Sequence, residues 1–132
     1  MPTYVDSAAG LRSDQLTGGF FAGWPSPPTA ERHLDILRGS DAVVLAIDDD
    51  AVVGYATAIS DGVLSAFIPL LEVLPAYQHQ GIATELMRRL LARLDHLYMV
   101  DVCCDADLEP FYRRFGFDNL DRGMGLRRPD KI

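Results

Sequence analysis

Between Ala42 and Leu94 the spacing of apolar residues changes period once, and that change restricts the fold more than any other feature of the sequence. Ala42 to Ile47 is a continuous apolar run. The tight turn Asp48-Asp49-Asp50 follows, and Val52 to Ile59 returns as its hairpin partner. Asp61-Gly62 is a strong turn signal, and Leu64 to Leu74 reads as a longer strand that Pro75 closes. Ile82, Leu86, Leu90 and Leu94 then recur every four residues, with Ala83, Met87 and Leu91 beside them, which is the buried stripe of a helix. Paired strands followed by a helix to cover them predict an α/β or α+β fold with mixed strand pairing.

The flanking segments add elements of the same kind. Leu97 to Val102 is a further strand, and Asp105 or Asp107 caps a short helix that runs to Arg114, with Pro110 in its first turn and Gly116 at its end. The first forty residues predict a short strand and two helices. Ser13 caps the first helix, whose apolar side is Leu16, Phe20 and Phe21. A rigid loop, Gly23-Trp24-Pro25-Ser26-Pro27-Pro28, leads to the second. Thr29 caps that helix, Leu34 and Leu37 line it, and Gly39 ends it. The tail from Phe117 to Arg128 predicts one or two short strands around Asp121-Arg122-Gly123. No repeat or low-complexity linker interrupts the 132 residues, which suits one domain spanning 1–132.

Composition narrows the function class. Twelve basic against 19 acidic residues give a net charge of −7, which argues against nucleic acid as a partner. Cys103 and Cys104 are adjacent, with no CxxC or Cys/His spacing around them, so they read as small buried free thiols of a reducing compartment. The N-terminus has no basic, apolar leader, and the apolar window Val63 to Leu74 is too short to cross a bilayer. These features predict a cytoplasmic protein without a membrane partner.

The segment that carries chemistry joins the long strand to the long helix: Val73-Leu74-Pro75-Ala76-Tyr77-Gln78-His79-Gln80-Gly81-Ile82-Ala83-Thr84. The first turn of a helix leaves backbone N–H groups unpaired, and the macrodipole adds positive partial charge. Small residues there admit a phosphate group. The pattern Gln78-x-x-Gly81-x-Ala83 alone recurs by chance in about one chain in ten of this length, and a plain strand-to-helix turn would explain it equally.

A second motif stands about thirty residues on, Phe111-Tyr112-Arg113-Arg114-Phe115-Gly116-Phe117. Together the two motifs, in this order of strands and helices, resemble the GNAT superfamily of acetyl-CoA-dependent N-acetyltransferases. The resemblance is strong from about Asp41 to Phe117 and looser before. It implies a mixed, mostly antiparallel twisted sheet with a central splayed pair of parallel strands, Leu70 to Leu74 and Leu97 to Val102, flanked by about four helices. It implies acetyl-CoA as co-substrate, no metal, and a small-molecule or peptide amine as acceptor, and it is compatible with a homodimer.

Carried over residue by residue, the resemblance places Gln78, His79, Gln80, Gly81, Ile82, Ala83 and Thr84 in the pyrophosphate loop. Ala83 stands where glycine is commoner, and His79 and Gln80 where basic residues are often found. Backbone groups of Val73 and Leu74 face the pantetheine and the thioester carbonyl. Asp105 stands where many members have an asparagine on the pantetheine arm, and a carboxylate cannot donate that hydrogen bond unless protonated. Tyr112 matches the tyrosine that protonates the departing thiolate.

For the base, Glu72 is the one charge in an apolar strand, and Asp101 in the neighbouring strand is a weaker candidate for substrate contact. His33 and His79 read as solvated. Trp24 either walls the acceptor pocket or seals the core. A non-catalytic acyl-CoA-binding module and an acyltransferase for longer acyl chains remain alternatives to acetyl transfer.

Overall fold

The computed structural model describes residues 1–131. Five strands, β1 (Thr3–Val5), β2 (Ala42–Asp48), β3 (Ala51–Ser60), β4 (Ser65–Val73) and β5 (Met99–Val102), form one sheet in sequential order. The first three junctions are antiparallel, and β4 and β5 are parallel. The β2–β3 hairpin closes on Asp49 and Asp50, both at positive φ, a conformation that Asp tolerates better than most residues.

The crossover from β4 to β5 carries α2 (Ile82–Arg93), the helix predicted from the four-residue period. Its stripe of Ile82, Leu86, Met87 and Leu90 is buried against the sheet. The opposite face is covered by the N-terminal segment and by α1 (Ala30–Gly39), which Thr29 caps by accepting the Arg32 N–H. Alternation along β3 sends successive residues to the two layers. Gly54 faces Leu86 and Ile82, and Tyr55 faces the rings of Phe20, Phe21 and His33.

The GNAT-type architecture holds, with three differences in detail. The helix expected from Ser13 is a single 3-10 turn, Ser13–Leu16, and Arg12, not Ser13, stands at its N-cap. It ends at Leu16 with Thr17 as its C-cap, and Gly18 and Gly19 follow. A Cβ on Gly18 would lie 2.5 Å from Leu74 Cδ1, so glycine lets this loop cross directly over the end of β4. Phe20 and Phe21 are therefore buried from a turn, leaving three α-helices with the short α3 (Glu109–Arg113). The strands expected in the tail are absent: residues 117–128 pair with nothing in the sheet, and Leu120, Met124 and Leu126 are exposed. His33, expected in water, is buried at 1% exposure. Among the described residues no helix is long and apolar enough to cross a membrane.

Candidate active site

Parallel pairing between β4 and β5 runs from Ser65↔Met99 to Ile68↔Val102 and stops there. The next residue of β4 is Pro69, which has no N–H to offer a neighbour. β4 continues to Val73 beside β3 alone, and a cleft of about 390 Å³ opens between the strands. Its walls include Leu70, Leu71 and Glu72 from β4, Val102 to Asp105 after β5, Tyr112 from α3, and Phe21 and Trp24 from the N-terminal layer.

The hydrogen-bond alternation of β4 identifies what its free edge offers. Leu74 N–H donates to the Val53 carbonyl at 2.9 Å, next to the facing pair Gly54↔Val73. In an antiparallel ladder the bonded and non-bonded pairs alternate, so Glu72 bonds to Tyr55 while Leu71 and Val73 turn their N–H and C=O groups away from β3. Those groups face the side from which β5 has departed. The Val73 carbonyl accepts from the Gln78 side chain at 3.0 Å, which ties the following loop to the strand end. This corrects the expectation for Leu74, whose N–H is already used. The donors at the opening are Val73 and Leu71. Leu71 was missed because its side chain carries no signal, and only strand register reveals its N–H.

Beyond Val73 the chain makes a 3-10 turn, Pro75–Tyr77, and enters α2 through Gln78 to Gly81. Gly81 is the N-cap at φ +83, a conformation that side chains resist, and His79 is also left-handed at φ +63. The first helical bond is Glu85 N–H to Gly81 C=O at 3.1 Å. Among the described residues the N–H groups of residues 81–84 have no acceptor, as the geometry of a helix start requires. The Ile82 side chain is buried, and His79, Gln80 and Gly81 are exposed. Arg114, stacked over the Phe111 ring at 5.2 Å, reaches Thr84 Oγ1 at 3.5 Å, so a cation from α3's end stands beside this turn.

At the other end of the site, Glu72 accepts the Phe21 N–H at 3.0 Å and the Tyr55 hydroxyl at 3.3 Å. Partial burial pushes its carboxyl above the usual range, and these two donors oppose the rise. Burial also raises the Tyr55 phenol, with the Glu72 charge adding to it. His33 sits 4.6 Å from the Tyr55 ring centroid with Nε2 unpartnered, and desolvation lowers it to about 4. Trp24 packs edge-on against Phe21 at 5.1 Å and remains 43% exposed on the cleft wall.

Tyr112 is buried at 7% exposure, on the cleft wall, between the rings of Phe111 and Phe117. Its phenol is raised by burial first and by the nearby Cys104 second. Asp105 lies on the wall at the start of the 3-10 turn Ala106–Leu108 and is exposed. Two expectations change. Asp101 pairs with Phe67 in the closed part of the ladder and is not on the cleft wall. Cys103 and Cys104 are exposed free thiols rather than buried ones, because β5 ends at Val102 and leaves them in the turn. Among the described residues no cluster of three His, Cys, Asp or Glu could hold a metal.

Comparisons with known proteins agree with this architecture. The family model described as Acetyltransferase (GNAT) family matches residues 12–117. A crystal structure of a candidate acetyltransferase from Deinococcus radiodurans R1 is 45% identical, with a TM-score of 0.92 over 98% of this chain and 90% of that one. A GNAT family acetyltransferase from Streptococcus pneumoniae TIGR4 is 31% identical, with a TM-score of 0.79 over 97% of this chain and 98% of the other. GCN5-related N-acetyltransferase 3, chloroplastic, of Arabidopsis thaliana is 34% identical over 79 residues, 58% of this chain and 33% of that relative's length. The family match takes in β2 to α3, and with them every strand and loop that builds the cleft: the chain belongs to the GNAT family of acetyltransferases.

Proposed function

We propose that this protein moves an acetyl group from acetyl-CoA to the amine of a cationic acceptor, by direct attack within the cleft. The observation that carries the reading is the free edge of β4. It offers unpaired N–H groups at Leu71 and Val73 beside a carboxylate and a phenol, and it leads through Gln78 to an unpaired helix start. Those features fit an elongated, polyanionic acyl carrier. The N–H groups of residues 81–84 would hold its diphosphate with help from Arg114, and Val73 would hold the pantetheine amide. When bound, acetyl-CoA supplies the activated thioester.

The remaining work falls to the chain. Leu71 N–H is the donor available to polarise the thioester carbonyl. An alkylamine reaches neutral solution as an ammonium ion, with a reference pKa near 10.4. Glu72 takes its proton, directly or through water, and the raised carboxyl makes it a better base than a solvated glutamate. Tyr112 stays protonated at neutral pH, as a phenol with a reference pKa near 10 does, and burial raises it further, so it can donate to the sulfur as the thiolate leaves.

The walls also select the acceptor. Glu72 and Asp105 stand on them, with no Lys, Arg or His among the described residues, and Phe21 and Trp24 present aromatic surface. That combination attracts a cation and repels a phosphate. A panel of amines, with thiol release measured against acetyl-CoA, tests the reading. Cationic alkyl and arylalkyl amines should turn over, and phosphorylated amines should not. A rise in melting temperature on CoA with no turnover for any amine would overturn acetyl transfer and leave an acyl-CoA-binding module or an acyltransferase for longer acyl chains.

A further inference from the structure

Two thiols stand on the wall of the same cleft and take no part in the chemistry above. Cys103 and Cys104 follow the last residue of β5, both free, both exposed, and both lining the opening. They share that opening with Tyr112. The Cys104 thiol and the hydroxyl assigned to the departing CoA sulfur thus belong to walls of one cleft. We propose that Cys104 is a modification site at which CoA becomes attached as a mixed disulfide, filling the cleft and excluding acetyl-CoA. The inference rests on the reading that CoA occupies this cleft.

The step is a disulfide exchange and needs a CoA disulfide as its co-reactant. The Cys104 thiolate attacks one sulfur of that disulfide. The S–S bond of the reagent breaks, a Cys104–CoA S–S bond forms, and the second CoA leaves with the electron pair, taking up the proton that Cys104 released. One disulfide replaces another, so there is no net oxidation. Desolvation and the carboxylates of Glu109, Asp105 and Asp107 raise the Cys104 thiol, which slows reaction with disulfides that merely collide with it. A disulfide that is bound first gains from its high local concentration. Selectivity for CoA thus comes from the site, not from the thiol.

Reduced full-length protein is incubated with CoA disulfide or glutathione disulfide at equal concentration, and adducts are followed by intact mass and peptide mapping. One CoA per chain should appear, on Cys104, about tenfold or more faster than glutathione. Excess acetyl-CoA should suppress it, and a dithiol reductant should reverse it. Cys104→Ser should abolish the adduct and Cys103→Ser should retain it; mapping and acetyl-CoA protection of the unsubstituted protein decide the matter if a variant fails to fold. Equal rates for the two disulfides, labelling mainly at Cys103, or indifference to acetyl-CoA would each overturn the inference. The melting temperature of the reduced protein is read with and without CoA in parallel. A rise without a selective adduct ends this inference alone, and no rise ends the CoA reading on which it depends.

Discussion

The two ends of the candidate site are made of different material. The start of α2 is made of backbone: four N–H groups at residues 81–84, a glycine at φ +83 and exposed side chains that contribute little shape. The Glu72 end is made of side chains. A carboxylate from β4, a phenol from β3 and the N–H of Phe21, 51 residues away from Glu72 in sequence, meet under aromatic rings. The backbone end can bind the same group in any chain that keeps the turn. The side-chain end depends on which residues these positions carry, and in the proposed reading it is there that the acceptor is selected. Disrupting the first should cost binding, whereas disrupting the second should cost chemistry or stability.

The largest expected effect is at the backbone end. Gly81→Glu forces a residue with a Cβ into a left-handed conformation, at about 1–2 kcal/mol, and sets a negative charge where the diphosphate belongs. The rise in melting temperature on CoA, which follows from binding to the folded state alone, should vanish. If thermal shift assays show the same rise in the variant, the loop is not part of the site.

At the other end, Tyr112→Phe keeps the ring packed between Phe111 and Phe117 and removes only the hydroxyl. CoA should still raise the melting temperature, and kcat should fall by about 10²-fold, the scale of a lost general acid. A change confined to KM would assign the hydroxyl to holding substrate instead. Together the two variants separate binding from chemistry across the two ends.

How much of each end was legible in the sequence follows from the same contrast. The helix start was readable because its signals are local: a four-residue period, a glycine at the N-cap and a small residue two positions on. The hairpin and the Thr29 cap were local for the same reason. The Glu72 cluster was not. Glu72 could be singled out as the odd charge in an apolar strand, but one of its two partners, Phe21, comes from a segment read as helix. Phe21 is at φ +64, held through its N–H by Glu72, and no short-range pattern shows that. The expected tail strands do not form: among the described residues β5 stays the edge of the sheet, with no strand paired beyond it. The free N–H of Leu71 depends on where Pro69 ends the parallel ladder and on the register with β3.

Burial at the side-chain end has a cost that varies with pH. His33 is enclosed by Phe20, Phe21 and Tyr55 and titrates near 4 when folded, against a reference near 6.5. Between those values the unfolded chain binds a proton that the folded one does not, so stability rises with pH across that window and is lost as pH falls through it. The full swing is of order 3 kcal/mol. Glu72, raised when folded, works the other way over its own window: protonation favours the folded state, and stability declines as pH rises. In His33→Phe the rise attributed to His33 should disappear from chemical denaturation curves recorded between pH 4 and 7, leaving the shallower opposing trend. An unchanged slope would mean that the imidazole titrates as freely in the folded protein as in the unfolded one.

The smallest effect returns to the helix start and tests whether side chains matter there at all. Glu85 lies in the first turn of α2, held by Arg88 at 2.5 Å and Arg89 at 2.6 Å, and these cations keep its carboxyl down at about 2. The pairs are water-exposed helical neighbours, each worth only about 0.3–0.5 kcal/mol. Their contribution is present above the ordinary carboxylate range and fades as pH falls toward that lower value. Glu85→Gln should therefore lower stability by less than about 1 kcal/mol at neutral pH. The same change removes a negative charge from the turn that is to receive a diphosphate and releases two guanidinium groups beside it. Charges at a helix start are worth about 0.3–1 kcal/mol, so Kd for CoA should fall by about two- to fivefold at low salt. Screening should erase most of that gain near 1 M salt, where the Debye length is about 3 Å. Titration calorimetry at two ionic strengths measures both limits. Weaker CoA binding in Glu85→Gln would show that Glu85 helps to shape the loop, and that the backbone end depends on its side chains after all.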